Sequence, residues 1–113
     1  ASLSRRMDDE SEEDRRKRLY DRASYRDLLL RIAGNARRLR EERGWTQVKA
    51  AVRAEMAVYQ YQRLESGRYN TTMTVVARLV DAFGVEPAEL FRPFYPPVTK
   101  KGRPYARRRI PPA

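Results

Sequence analysis

Residues 59–63, Tyr59-Gln60-Tyr61-Gln62-Arg63, put five side chains with hydrogen-bonding groups in consecutive positions of a segment that otherwise reads as helix. Amides, phenols and a guanidinium recognise other groups through directional hydrogen bonds. They do not by themselves assemble a nucleophile and base. The chain has no His and no Cys, which removes imidazole and thiolate metal sites, disulfides, and Ser-His or Cys-His dyads. The acidic run at 8–14 lacks the turn glycine and carbonyl geometry of a calcium loop. No catalytic constellation remains, so the chain is not read as an enzyme, and no metal or cofactor is expected. The chemistry left open is non-covalent recognition. The question is whether the 59–63 cluster faces a ligand or edges a core.

Charge narrows the ligand class. The chain of 113 residues has a net charge of +10, a mean hydropathy of −0.85 and room for one small domain with polar extensions. Residues 1–43 hold 13 basic and 10 acidic side chains, residues 44–91 hold 5 of each, and residues 92–113 hold 7 basic and none acidic. Such a distribution favours a polyanion, because each Lys or Arg placed on a phosphate releases condensed counterions. Nucleic acid is the first candidate and an anionic membrane surface the second. The longest apolar runs, such as 28–30, are too short for a membrane span or a signal-peptide core. The absence of Cys fits a reducing compartment. The expected setting is cytoplasmic, with the nucleoid implied if the polyanion is DNA.

The elements that must hold the cluster are helices. Residues 8–18 place acids four positions before bases, Glu12 to Arg16, Glu13 to Lys17 and Asp14 to Arg18, as on a solvated helix. Ser24 and Asp27 resemble a capping box. Tyr25, Leu28, Leu29, Ile32, Ala36 and Leu39 then recur at helical spacing, predicting a helix over about 25–43. Gly34-Asn35 leaves open a joint in its middle. Gly44 suits a left-handed cap, and Thr46 can cap a helix over about 47–54. A helix over about 58–65 ends at Ser66-Gly67. Thr71 or Thr72 can cap a fourth, with Met73, Val76, Leu79, Val80 and Phe83 as its apolar stripe. Pro87 opens a last short helix to Phe91. Residues 92–113, rich in proline and without an acid, read as extended or disordered. The division is a charged, partly helical extension (1–23), a helical domain (24–91) and a basic tail (92–113).

Residues 34–91 hold, in order, Leu39, Arg40, Gly44, Trp45, Thr46, Gln47, Leu64, Glu65, Gly67, Leu79, Phe83, Gly84, Val85, Glu89, Leu90 and Phe91. On these residues the segment resembles the Cro and lambda-repressor (XRE) type helix-turn-helix family. It implies an all-α, five-helix lambda-repressor-like domain and a sequence-specific transcriptional regulator, dimeric on a two-fold-related site of double-stranded DNA. It implies that Val58, Tyr59, Gln60, Gln62 and Arg63 face base edges and that Gln47, Arg68 and Asn70 contact phosphates. It also implies that Arg40 and Glu65 form a partly buried pair tying the first helix to the third. The spacing of Tyr61 and Leu64 assigns Tyr61 to the core, and Tyr59, Gln62 and Arg63 to another face. Gln pairs bidentately with adenine and Arg with guanine, while Tyr packs on a thymine methyl or bonds a phosphate. Gln60 lies between the two faces.

Four positions depart from the family pattern. Glu55 stands where the turn usually has Gly, Ala50 replaces Leu, Ala57 replaces the capping Ser or Thr, and Thr71 replaces Pro. A small Ala50 beside a large Tyr61 suggests volume compensation. In the tail, Gly102-Arg103-Pro104 with Lys100, Lys101, Arg107, Arg108 and Arg109 resembles a loose AT-hook. These bases suit either a narrow minor groove or the phosphate backbone. Phe91, Phe94 and Tyr95 among prolines could dock on the domain, form a dimer contact or bind a partner such as RNA polymerase. The rival reading is an antitoxin-like or polymerase-recruiting interaction module with weak DNA contact.

Overall fold

The computed structural model describes residues 10–96, and every regular element among them is helical. In chain order they are α1 (Glu12–Tyr20), α2 (Ala23–Glu42), α3 (Gln47–Arg53), α4 (Val58–Glu65), α5 (Met73–Phe83) and a 3-10 turn (Pro87–Leu90). α2 is the central pillar, touching α1, α4, α5 and the 3-10 turn, while α3 packs against α4. The core gathers Ile32, Ala36 and Leu39 of α2, Ala50 and Ala51 of α3, Tyr61 and Leu64 of α4, Val76, Leu79 and Phe83 of α5, and Leu90. Ala50 and Tyr61, the small and large departures, are both buried in this one core.

Local chemistry explains the boundaries. Thr46 and Thr72 cap α3 and α5 by accepting from the Lys49 and Val75 backbone N–H groups. α2, α3 and α4 each end in a Schellman motif: Trp45 N–H to Arg40 O, Met56 N–H to Ala51 O, and Arg68 N–H to Arg63 O. The left-handed residue is Gly44 in the first and Gly67 in the third, but in the second it is Glu55 at φ 55°. Glu55 therefore accepts the left-handed conformation. Its carbonyl receives Arg78 Nη1 from α5 at 3.0 Å, a tertiary bond that holds the α3–α4 turn in place.

Two expectations are corrected, and of the two readings open for residues 25–43 the single helix is the one observed. Ser24 and Asp27 form no capping box: α2 starts one residue after Arg22, without a side-chain cap. The Asp27 carboxylate is taken instead by Arg31 Nε at 2.9 Å and the Tyr95 hydroxyl at 2.7 Å. On α1, Arg18 pairs with Glu10 at 3.0 Å rather than with Asp14. Finally, α2 runs unbroken through Gly34. A Cβ at Gly34 would overlap the Phe94 carbonyl and the Tyr95 backbone, so the glycine serves a close crossing and not a joint. Residues 91–96 lie across α2 as a strap. Asn35, fully buried, donates to Arg31 O, Leu90 O and Arg92 O, and Arg38 reaches Glu89 at 3.1 Å. Of the three roles open to the Phe94-Tyr95 segment, docking on its own domain is the one observed. The tail bases Lys100, Lys101, Arg103, Arg107, Arg108 and Arg109 lie outside the described residues.

Candidate nucleic-acid interface

α4 is eight residues long and divides cleanly into two sides. Tyr61, Leu64 and Glu65 are buried, Val58 is half-buried, and Tyr59, Gln60, Gln62 and Arg63 are exposed. The 3.6-residue period explains the split, since 61, 64 and 65 share a stripe that the core covers. Gln60 belongs with the exposed set. Tyr59 is 67% exposed, a large aromatic left in water on a helix whose neighbours are polar. Arg63, one turn on, lies 5.9 Å from the Tyr59 ring centroid and donates Nη2 to Arg68 O at 2.8 Å. Arg63 is thus restrained between an aromatic face and the loop that follows the helix. Arg68 and Asn70 are exposed in that loop.

Behind this surface sits a charged network. Arg40 Nε and Nη2 donate to the two Glu65 oxygens at 2.6 and 3.1 Å, and Arg40 Nη1 donates to Trp45 O at 2.9 Å. Glu65 is only 4% exposed, so its oxygens find their hydrogen-bond partners inside the protein. The Arg40 hydrogen bond to Glu65 is also the main reason the Arg40 pKa lies above its ordinary value. Gln47 Nε2 adds a donor to Glu65 Oε1 at 3.1 Å, and Gln62 Nε2 in turn donates to Gln47 Oε1 at 3.5 Å. Burial, reinforced by the Glu65 charge, pushes the neighbouring Tyr61 phenol far above its usual range. Tyr61 therefore stays neutral and packs as a core residue.

Sequence reasoning missed two features. Gln47, Gln62 and Glu65, given separate roles, are one hydrogen-bonded set spanning α3 and α4. Arg43, Lys49 and Arg53 surround the Trp45 ring at 5.9, 5.9 and 5.1 Å from its centroid. The 49/53 spacing on α3 was the available signal for this basic cluster. Glu55, exposed in the α3–α4 turn, is the acidic exception. The surface can hydrogen-bond base edges through Gln60, Gln62 and Arg63, stack or pack through Tyr59, and attract phosphates.

Comparison with known proteins agrees with this architecture. Residues 31–92, more than half of the chain, match the family model for a helix-turn-helix domain. An uncharacterized HTH-type transcriptional regulator, y4dJ, of Sinorhizobium fredii is 34% identical over 67 residues, spanning 59% of this chain and 87% of that protein. Among solved structures, the restriction-modification controller protein C.AhdI from Aeromonas hydrophila matches with a TM-score of 0.54 and 27% identity. The match covers 56% of this chain and 96% of that one.

Proposed function

This chain belongs to the helix-turn-helix domain family, and we propose that it is a sequence-specific DNA-binding transcriptional regulator acting as a homodimer on a two-fold-related site. α4 enters the major groove with Val58, Tyr59, Gln60, Gln62 and Arg63 toward base edges. Gln47, Arg68 and Asn70 hold phosphates on either side. The basic residues from Lys100 to Arg109 lie along the backbone or in the minor groove. The observation that carries this reading is the exposed side of α4, where four polar or aromatic side chains stand in water over a buried Tyr61, Leu64 and Glu65. The relatives named above support the regulatory role.

A second reading, a protein-recruiting module with weak DNA contact, draws on Val48 and Val52. These are neighbours on α3 that are 55% and 68% exposed. Genome-wide immunoprecipitation sequencing, followed by binding to the recovered fragments at two salt concentrations, separates the two. Discrete peaks and salt-dependent, sequence-selective binding are expected for the regulator. Absence of peaks with retained capture of a protein partner refutes it.

A further inference from the structure

We infer that Arg78 of α5 is a positioning residue for the N-terminal end of α4, setting base preference at Tyr59 through the backbone of the α3–α4 turn, an inference that rests on the proposal that α4 faces base edges.

The two ends of α4 are held differently. At the C-terminal end Arg40 grips Glu65, and Arg63 donates to Arg68 O while the Arg68 N–H returns a bond to Arg63 O at 3.0 Å. At the N-terminal end Ala57 supplies no side-chain cap, so the first N–H groups of the helix have no side-chain acceptor there. Two residues before Ala57 stands Glu55 at φ 55°, a left-handed conformation that a non-glycine residue keeps only where its surroundings hold it. Arg78 Nη1, at 3.0 Å from the Glu55 carbonyl, holds it from a separate helix. Rotation of the Glu55 peptide would carry the carbonyl away from Arg78 and re-aim residues 56–59. Stability alone explains Arg78 poorly. Its Nε is buried without a hydrogen-bond partner, and no carboxylate pairs with it among the described residues. A buried donor left unpaired destabilises the fold, and a methionine of similar length would fill the same space without one. What methionine lacks is a donor for the turn carbonyl. The guanidinium therefore controls the direction in which α4 leaves the turn, and with it the placing of Tyr59, 67% exposed in the first turn of the helix. Contacts of this kind hold only when the side chain is placed to within about 0.5 Å.

The experiment compares the full chain with Arg78→Met, Arg78→Lys, Tyr59→Ala and Arg63→Met. The probes are duplexes of a selected site that carry each of the four base pairs at the positions where Tyr59→Ala and Arg63→Met change preference. Urea midpoints and the log-log salt slope of binding are measured alongside. Arg78→Met is expected to leave the urea midpoint nearly unchanged and to lower the preference at the Tyr59 position by about fivefold or more. At the Arg63 position, whose end of α4 is held independently, the preference should stay within about twofold of the parent. The salt slope should match the parent's, and adding Tyr59→Ala to Arg78→Met should cause no further loss at the Tyr59 position. Arg78→Lys, which keeps a donor for the Glu55 carbonyl, should recover most of the preference. An unchanged preference at the Tyr59 position in Arg78→Met overturns the inference. So does a salt slope shallower by about 1 with both preferences intact, which would make Arg78 a direct phosphate contact. Equal loss at both positions with a lower urea midpoint also overturns it, by making Arg78 a general support of the fold. If Tyr59→Ala alone changes no preference, Tyr59 is not a reader and the inference is overturned while Arg63 remains one. If Tyr59→Ala and Arg63→Met both keep every preference of the parent, the base-reading proposal itself is overturned.

Discussion

Replacing Arg40 by alanine removes two charge-assisted hydrogen bonds, at 2.6 and 3.1 Å, from a Glu65 carboxylate that is 4% exposed. One donor, Gln47 Nε2 at 3.1 Å, is left to it. Breaking a buried ion pair from one side costs about 3–5 kcal/mol, because the surviving charge stays desolvated. Arg40 is itself 14% exposed, and Gln47 still donates, so the lower end applies: about 3 kcal/mol. The lost Arg40 bond to Trp45 O, which helps close the end of α2, acts in the same direction. For a domain of this size that is a fall in Tm of roughly 12–24 °C, out of a total stability on the order of 5–12 kcal/mol. Urea denaturation followed by circular dichroism, with thermal melts alongside, measures it. The double variant Arg40→Leu, Glu65→Met should recover most of the loss, since two apolar groups leave no orphaned charge. An Arg40→Ala variant within about 0.5 kcal/mol of the parent chain would refute the reasoning, because changes that small are what exposed surface sites give.

Four further outcomes follow from the fold. Gly34→Ala should destabilise by about 1 kcal/mol or more despite the better helix propensity of alanine, and should speed chymotryptic cleavage after Phe94; a gain in stability with unchanged cleavage would contradict the strap. Glu55→Gly should stabilise by about 0.5–1 kcal/mol by relieving a left-handed non-glycine residue, and urea midpoints will decide it. Glu89 is held below its ordinary pKa of 4.5, first by the Arg38 hydrogen bond and then by Arg92. Its stabilisation is therefore complete above that value and lost as pH falls through the lower folded value, so the Tm gap between parent and Glu89→Gln should close on acidification from about pH 6 to about pH 3. Deleting residues 97–113 removes Lys100, Lys101, Arg103, Arg107, Arg108 and Arg109; if about half meet phosphates, the log-log salt slope of DNA binding should become shallower by roughly 3 while base preference survives.

The helices were legible because their signals are local. Thr46, Thr72, Gly44 and Pro87 act within a turn of where they stand, and the apolar stripe of 73–83 needs only the helical period to be seen. Tyr61 could be assigned to the core for the same reason. The strap was not legible: Asn35 meets carbonyls 55 and 57 residues away, and Tyr95 meets Asp27 across 68. Its traces were Gly34-Asn35 and the aromatic residues Phe91, Phe94 and Tyr95 among prolines, for which docking on the domain was one of three open roles. A glycine and an amide on the inner side of a long helix look like a weak point until a second backbone is laid across them. In α4 the pattern separated the exposed from the buried side. It could not show that Arg63 is tethered to Arg68 O or that Gln47 bridges Glu65 and Gln62, because both depend on how α4 and its flanking loops are packed.

Two sets of polar contacts made by α2 lie on different sides of the helix. Asp27, Arg31, Asn35 and Arg38 follow at intervals of four, four and three, and so share one face, and every one of them bonds the strap or the 3-10 turn beside it. Arg40 lies roughly half a turn away from that stripe, and its guanidinium points to Glu65 at the end of α4. A single helix thus holds the 3-10 turn and residues 91–96 on one side and meets α4 on the other. Among the described residues the strap bonds Asp27, Arg31 and Asn35, whereas Arg40 is linked to Gln47 and Gln62 through the Glu65 carboxylate. The buried pair thus stands at the inner end of a hydrogen-bonded set, Glu65, Gln47 and Gln62, whose outer end is at the surface.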